Sequence, residues 1–146
     1  MTYLVERLAE LRRYLDHLQT LRPRVRGRAS LDNDLSLHND VLFSLLMICQ
    51  LVIDVSGELS ARRGDPFQDY TQAIRNLALD PRFPADFIQK LERLPGFRNI
   101  VIHEYVSLDM NRVIEALNDL EPVEQFLQIV RQIISEDEDG TPIGNQ

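Results

Sequence analysis

Val41-Leu42-Phe43-Ser44-Leu45-Leu46-Met47-Ile48-Cys49-Gln50-Leu51-Val52-Ile53 is the longest apolar run of the chain, closed by Asp40 and Asp54. It is shorter than the ~20 residues a membrane helix needs, so it reads as a buried helix of the fold. From Val41 to Val55 apolar side chains cover nearly every side, which predicts a central helix enclosed by other helices or by a second subunit. The helix should continue to about Leu59, with Arg62-Arg63-Gly64 supplying positive charge and a glycine for its C-terminus. Its start stays open, because Ser30, Asp32, Asn33, Asp34 and Ser36 are all able to cap it.

Upstream, leucines at 4, 8, 11, 15, 18 and 21 step by three and four, the spacing of one helical face from Tyr3 to Leu21. Pro23 ends that pattern. A basic loop over residues 22–28 follows, either a phosphate contact or a connector. Downstream, Asp65-Pro66-Phe67-Gln68 reads as an N-cap, a proline in the first turn and the Gln of a capping box, predicting a helix over about 66–78. A turn at Asp80-Pro81-Arg82-Phe83-Pro84 leads to a short helix from Ala85 to Leu94, interrupted by Pro95-Gly96. Ser107 or Asp109 caps a last helix through Ile134, which Pro122 should kink or divide. No strand pattern of useful length is present. The expected fold is all-α, an antiparallel bundle of about five to six helices over residues 1–134, with an acidic, disordered tail at 135–146.

At 146 residues the chain is one domain, able to bury about 68–70% of its unfolded surface without staples. Cys49 is the only cysteine, sits inside the apolar run and reads as a small buried hydrophobe. The N-terminus lacks the apolar core of a signal peptide, so a reducing cytoplasm is expected. The net charge of −7 argues against nucleic acid, but it is unevenly placed. Residues 1–30 carry seven arginines against three acids, and residues 106–146 carry two against nine. An RNA track away from the C-terminal helix is therefore compatible with the total.

The chemistry concentrates in Phe97-Arg98-Asn99-Ile100-Val101-Ile102-His103-Glu104-Tyr105. A permanent cation, a side chain that titrates near neutral pH and a phenol together offer phosphate binding and proton transfer. His17 and His38 lie far from this stretch in sequence, and no His/Cys/Asp group has metal-ligand spacing. No cofactor is expected.

Arg98, four residues, His103, one residue and Tyr105 fall in the register of the RX4HXY signature, and the chain resembles the HepT toxins of the HEPN superfamily. Asn99 after the Arg, the Leu94-Pro95-Gly96-Phe97 approach and Asp109 extend the likeness, which runs loosely over residues 40 to 130. The resemblance implies a metal-independent ribonuclease with an RNA cleft at a homodimer interface. It also implies a partner, the minimal nucleotidyltransferase antitoxin MntA, that adds AMP to the Tyr of the motif.

In a regular helix, at about 100° per residue, Arg98 and His103 would lie some 140° apart. Either the Arg side chain reaches around, or the helix ends near His103, or two copies complete each other's site. In the expected mechanism His103 is general base, Arg98 stabilises charge on the phosphate and Asn99 orients substrate or His, while Tyr105 is the modification site. Asp54 resembles the acid that HepT-like chains place in the central helix, and either supports Arg98 or faces the surface. The alternative function is a non-catalytic helical dimer that binds a nucleotidyltransferase or nucleotide.

Overall fold

A computed structural model describes residues 2–138. Among them are eight α-helices and no strand: α1 (Thr2–Leu21), α2 (Arg28–Asp32), α3 (Leu35–Arg62), α4 (Tyr70–Arg75), α5 (Ala85–Leu91), α6 (Arg93–His103), α7 (Met110–Asn118) and α8 (Glu121–Glu138). The class is as expected, and the number of helices is higher because α2 is a short segment without a readable period of its own and because the last predicted helix divides into α7 and α8; the helix expected over about 66–78 is shorter, α4.

All six leucines of the α1 stripe are buried. They pack on α3, and the two helices run antiparallel. His17 near the end of α1 meets Asp40 near the start of α3, and one turn back Tyr14 meets Phe43 at 6.2 Å between ring centroids. Arg12 grips Glu124 with two hydrogen bonds of 2.7 Å, tying α1 to the start of α8. Each of these leucines removes about 1.5–3 kcal/mol worth of apolar surface from water, which makes the α1/α3 seam the main stabilising contact of the fold.

Asp34 is the cap that α3 uses, its carboxylate accepting from the Leu37 amide at 3.1 Å. The helix is long and apolar enough to cross a membrane by length and composition, longer than the apolar run alone implied, yet 56% of its most apolar window is buried within the chain. Its enclosure is incomplete. Leu42, Phe43, Leu46, Met47, Gln50 and Asp54 form a strip that the rest of this chain covers only in part.

The C-terminus of α3 closes as the sequence indicates. Gly64 takes φ +74°, the Gly64 amide donates to Ala61 and the Asp65 amide to Ser60, the paired bonds of a Schellman motif. That motif overturns the reading of Asp65 as the next N-cap. Its amide completes α3, residues 65–69 cross over as a connection, and Asp69 caps α4 by accepting from the Gln72 amide at 2.8 Å.

The break before the motif also lies elsewhere than expected. It falls at Glu92, and Pro95 and Gly96 sit inside the first turn of α6. A proline there loses no hydrogen bond, because the first amides of a helix have no intrahelical acceptor. Pro122 follows the same rule at the second position of α8, where the pattern divides from α7 as anticipated. α8 runs past Ile134 to Glu138, with Glu136 paired to Arg82, and the remainder of the acidic tail lies outside the described residues.

Around Asp80 the chain ties a knot. Asp80 is 5% exposed and accepts from the Arg82 amide at 2.9 Å, from the Arg82 guanidinium and from Arg63, while Arg82 also reaches Glu136. Burial alone would raise the Asp80 carboxyl, but the bonds from Arg82 and Arg63 hold it well below the ordinary carboxylate range.

Candidate active site

α6 lies across α3 and positions the motif. Arg98 sits in the middle of α6, half-buried against α3, and its Nε donates to Gln50 Oε1 at 2.6 Å. The Nε2 of Gln50 donates in turn to Asp54 Oδ1 at 2.7 Å, one turn further along α3. Asp54 is thus linked to Arg98 through an intervening amide, with no direct pair between them. Arg98 Nη1 donates to Asn99 Oδ1 at 3.2 Å, and the guanidinium carbon stands 5.6 Å from the centre of the Tyr70 ring.

His103 is the last residue of α6, exposed and without a hydrogen bond to any described residue. The Glu104 amide closes the helix on Ile100 at 2.9 Å, and at φ −129°, ψ 30° the backbone then leaves the helical path. Tyr105 opens a 3₁₀ turn, Tyr105–Ser107, with 68% of its surface exposed, beside Val106 at 90%. Of the three arrangements open to the motif, the helix end at His103 is the one observed within a single chain. It does not join Arg98 to His103 by any hydrogen bond among the described residues.

A cavity of about 460 Å³ lies between α3, α5, α6, α7 and the start of α8, but neither Arg98, Asn99, His103 nor Tyr105 lines it. Asn99, His103 and Tyr105 lie on the open surface, with Arg98 half-buried beside them. Cys49 is at the cavity wall, and burial pushes its thiol up to about 12, so it offers no thiolate nucleophile. Among the described residues no three His, Cys, Asp or Glu side chains gather as metal ligands. His17 and His38 are spent elsewhere, on Asp40 and Asn39.

The sequence did not reveal Gln50 or Tyr70 as neighbours of Arg98. Gln50 carried a faint signal, as the one amide in the apolar run, one helical turn before Asp54. Tyr70 carried none.

The model of the ribonuclease HepT-like family matches residues 6–130. The chain belongs to that family. It is 24% identical over 132 residues to the mRNA nuclease HepT of Shewanella oneidensis, covering 88% of this chain and 96% of that one. It is 28% identical over 134 residues to the tRNA nuclease HepT of Aphanizomenon flos-aquae, covering 88% and 86%. The fold matches the tri-AMPylated Shewanella oneidensis HEPN toxin in complex with its MNT antitoxin at a TM-score of 0.77, with 21% identity over 88% of this chain and 96% of that one. It also matches a toxin–antitoxin crystal structure with AMP-PNP at a TM-score of 0.80, with 20% identity over 90% and 99%. The HepT-like ribonuclease class and the all-α HEPN fold, both expected from the motif, therefore hold.

Proposed function

We propose that this chain is the toxin of a toxin–antitoxin pair, an endoribonuclease that cuts RNA without a metal ion at a composite site between two copies. The observation that carries this is the state of the motif on α6. Arg98 is anchored by a neutral amide that leaves its charge uncompensated, while His103, five residues on, stands free at the end of the same helix.

His103 takes the proton of a ribose 2′-hydroxyl, whose oxygen attacks the adjacent phosphorus. The bond to the 5′-oxygen breaks, leaving a 2′,3′-cyclic phosphate, and His103 of the second copy gives its proton to the departing oxygen. Arg98 stabilises the charge that builds on the phosphate, a planar two-pronged role that Lys fills poorly. Asn99, already bonded to Arg98, orients the guanidinium or the substrate. General acid–base assistance supplies about 10²–10⁴-fold, so the remainder falls to Arg98 and to positioning. The second copy would cover the half-open strip of α3 around Phe43, Leu46 and Met47, together with the exposed Ile102 of α6.

The antitoxin in this reading is a MntA-like nucleotidyltransferase that transfers AMP from ATP to the Tyr105 phenol, releasing pyrophosphate. Tyr105 is accessible for that reaction, and each added phosphate brings negative charge to a site that must receive an RNA phosphate. The relatives named as mRNA and tRNA nucleases indicate RNA as the substrate class, and RNA together with the single free thiol fits a cytoplasmic location.

The test is cleavage of a labelled RNA pool by unmodified protein in chelator, wild type against His103→Ala, with both confirmed as folded dimers. Cleavage by wild type alone is expected, and it should vanish when the scissile nucleotide carries 2′-deoxyribose. Cutting that survives either change overturns the mechanism. No cutting by wild type, with Tyr105 free of AMP, leaves the non-catalytic dimer as the better reading.

A further inference from the structure

We propose that Gln50 is the positioning residue of Arg98, locked in its working orientation by Asp54, and that together they commit Arg98 to meeting the phosphate with its terminal Nη groups. The inference rests on the ribonuclease reading for its catalytic consequence and on the geometry of α3 and α6 for the rest.

A glutamine amide has a donor end and an acceptor end, and packing alone rarely decides which way it points. Here the neighbours decide. Arg98 Nε can only donate and an ionised Asp54 can only accept, so Gln50 must turn Oε1 to Arg98 and Nε2 to Asp54. Reversing the amide would set NH₂ against N–H and oxygen against carboxylate, losing both bonds at once. A three-member chain with a single satisfied orientation results, and all three groups are partly withdrawn from water, which strengthens each bond.

The consequence for chemistry lies in what remains free on the guanidinium. Nε is consumed, and Nη1 has given one proton to Asn99. A phosphate is thus excluded from the side edge made by Nε and Nη2 and is met by Nη2 and the second proton of Nη1. Gln50 is neutral, so it fixes the direction of Arg98 without cancelling the charge that the phosphate requires.

The experiment uses the full-length dimer with Gln50→Met, which keeps volume and loses both hydrogen-bonding ends, and with Asp54→Ala, which releases the amide to turn over. Two quantities are read: steady-state cleavage of RNA, and exchange with water of the Arg98 Nε–H by NMR, its signal assigned by its loss in Arg98→Lys. In wild type the Nε–H should exchange slowly. Gln50→Met should speed it by at least tenfold and lower kcat by on the order of 10²-fold with KM little changed, because a misplaced cation is missed mainly in the transition state. Asp54→Ala should do the same to a smaller degree, with the thermal midpoint of both variants close to wild type. An unchanged Nε–H exchange in Gln50→Met, or a kcat within twofold of wild type, overturns the proposal. Should wild type cut no RNA, the ribonuclease reading falls by itself, and the exchange rates still decide whether Gln50 holds Arg98.

Discussion

Arg82 and Arg98 stand in different relations to the carboxylates of the fold. Arg82 touches carboxylates directly, Asp80 and Glu136, and Asp80 also holds Arg63. Arg98 stands one residue away from its acid, with the Gln50 amide between it and Asp54. Direct contact neutralises the guanidinium and turns it into a clamp between the 80–84 turn, the end of α3 and the end of α8. The interposed amide transmits orientation without transferring negative charge, so the cation stays available for an anion from outside. The number of bonds an arginine makes does not separate a structural role from a functional one here; the charge of the group that takes them does.

The comparison breaks most visibly at Asp80. Asp80→Ala takes from Arg63 its carboxylate and leaves Arg82 with Glu136 only, and should cost about 3 kcal/mol of unfolding free energy, read from denaturant melts, while cleavage per folded molecule stays near wild type. pH sharpens the point. The folded-state Asp80 carboxyl lies well below its unfolded value of about 3.9, so its contribution is complete above that pH and is lost as pH falls from there toward the folded value. The thermal midpoint of wild type should therefore fall more steeply below about pH 4 than that of Asp80→Asn, which has no such proton to gain. Parallel slopes would mean that the knot contributes no pH-linked stability.

Arg98→Ala is the mirror case. Losing a donor that serves the transition state costs about 10²–10³-fold in kcat for a preorganised charge-stabilising group, and stability should barely change, since Gln50 and Asp54 stay in contact with water. A large fall in melting temperature would class Arg98 with Arg82 instead.

Why one of these arginines was legible in the sequence and its support was not has a physical answer. Arg98, His103 and Tyr105 are joined by spacing along one chain segment, and a spacing survives in the linear code. The bond from Arg98 to Gln50 spans 48 residues, and nothing local marks it. The leucine stripe of α1 was readable because burial imposes a 3.6-residue period on the letters themselves. Caps were readable only as sets of candidates: five polar residues competed for the start of α3, and the backbone turn that selects Asp34 is not written in their identity. Asp65 and Pro95 misled for a related reason. Each has the composition of a helix boundary, yet one gives its amide to the Schellman motif of α3 and the other sits where a missing amide is harmless. The half-open strip of α3 was legible only as an apolar run to be covered by helices or by another subunit, and helices of the same chain leave that strip partly uncovered.

Gln50→Glu makes the smallest change and tests the comparison most directly, since it converts Arg98 into an arginine of the Arg82 kind. The new carboxylate would meet the guanidinium at the position of Gln50 Oε1, 2.6 Å from Nε in wild type, preserving shape and the bond to Arg98 while losing the bond to Asp54 and removing net charge. If the charge of Arg98 reaches RNA phosphate, the affinity for an RNA blocked by 2′-deoxyribose at the scissile nucleotide should fall about tenfold at low salt, and the slope of log affinity against log salt should become shallower by about one ion. Repulsion between the introduced carboxylate and Asp54 on the neighbouring turn should take only about 0.2–0.5 kcal/mol from the fold, because both remain partly in water. An affinity and salt slope equal to wild type would show that the guanidinium makes no phosphate contact in the bound state, and Arg98, like Arg82, would then belong to the architecture.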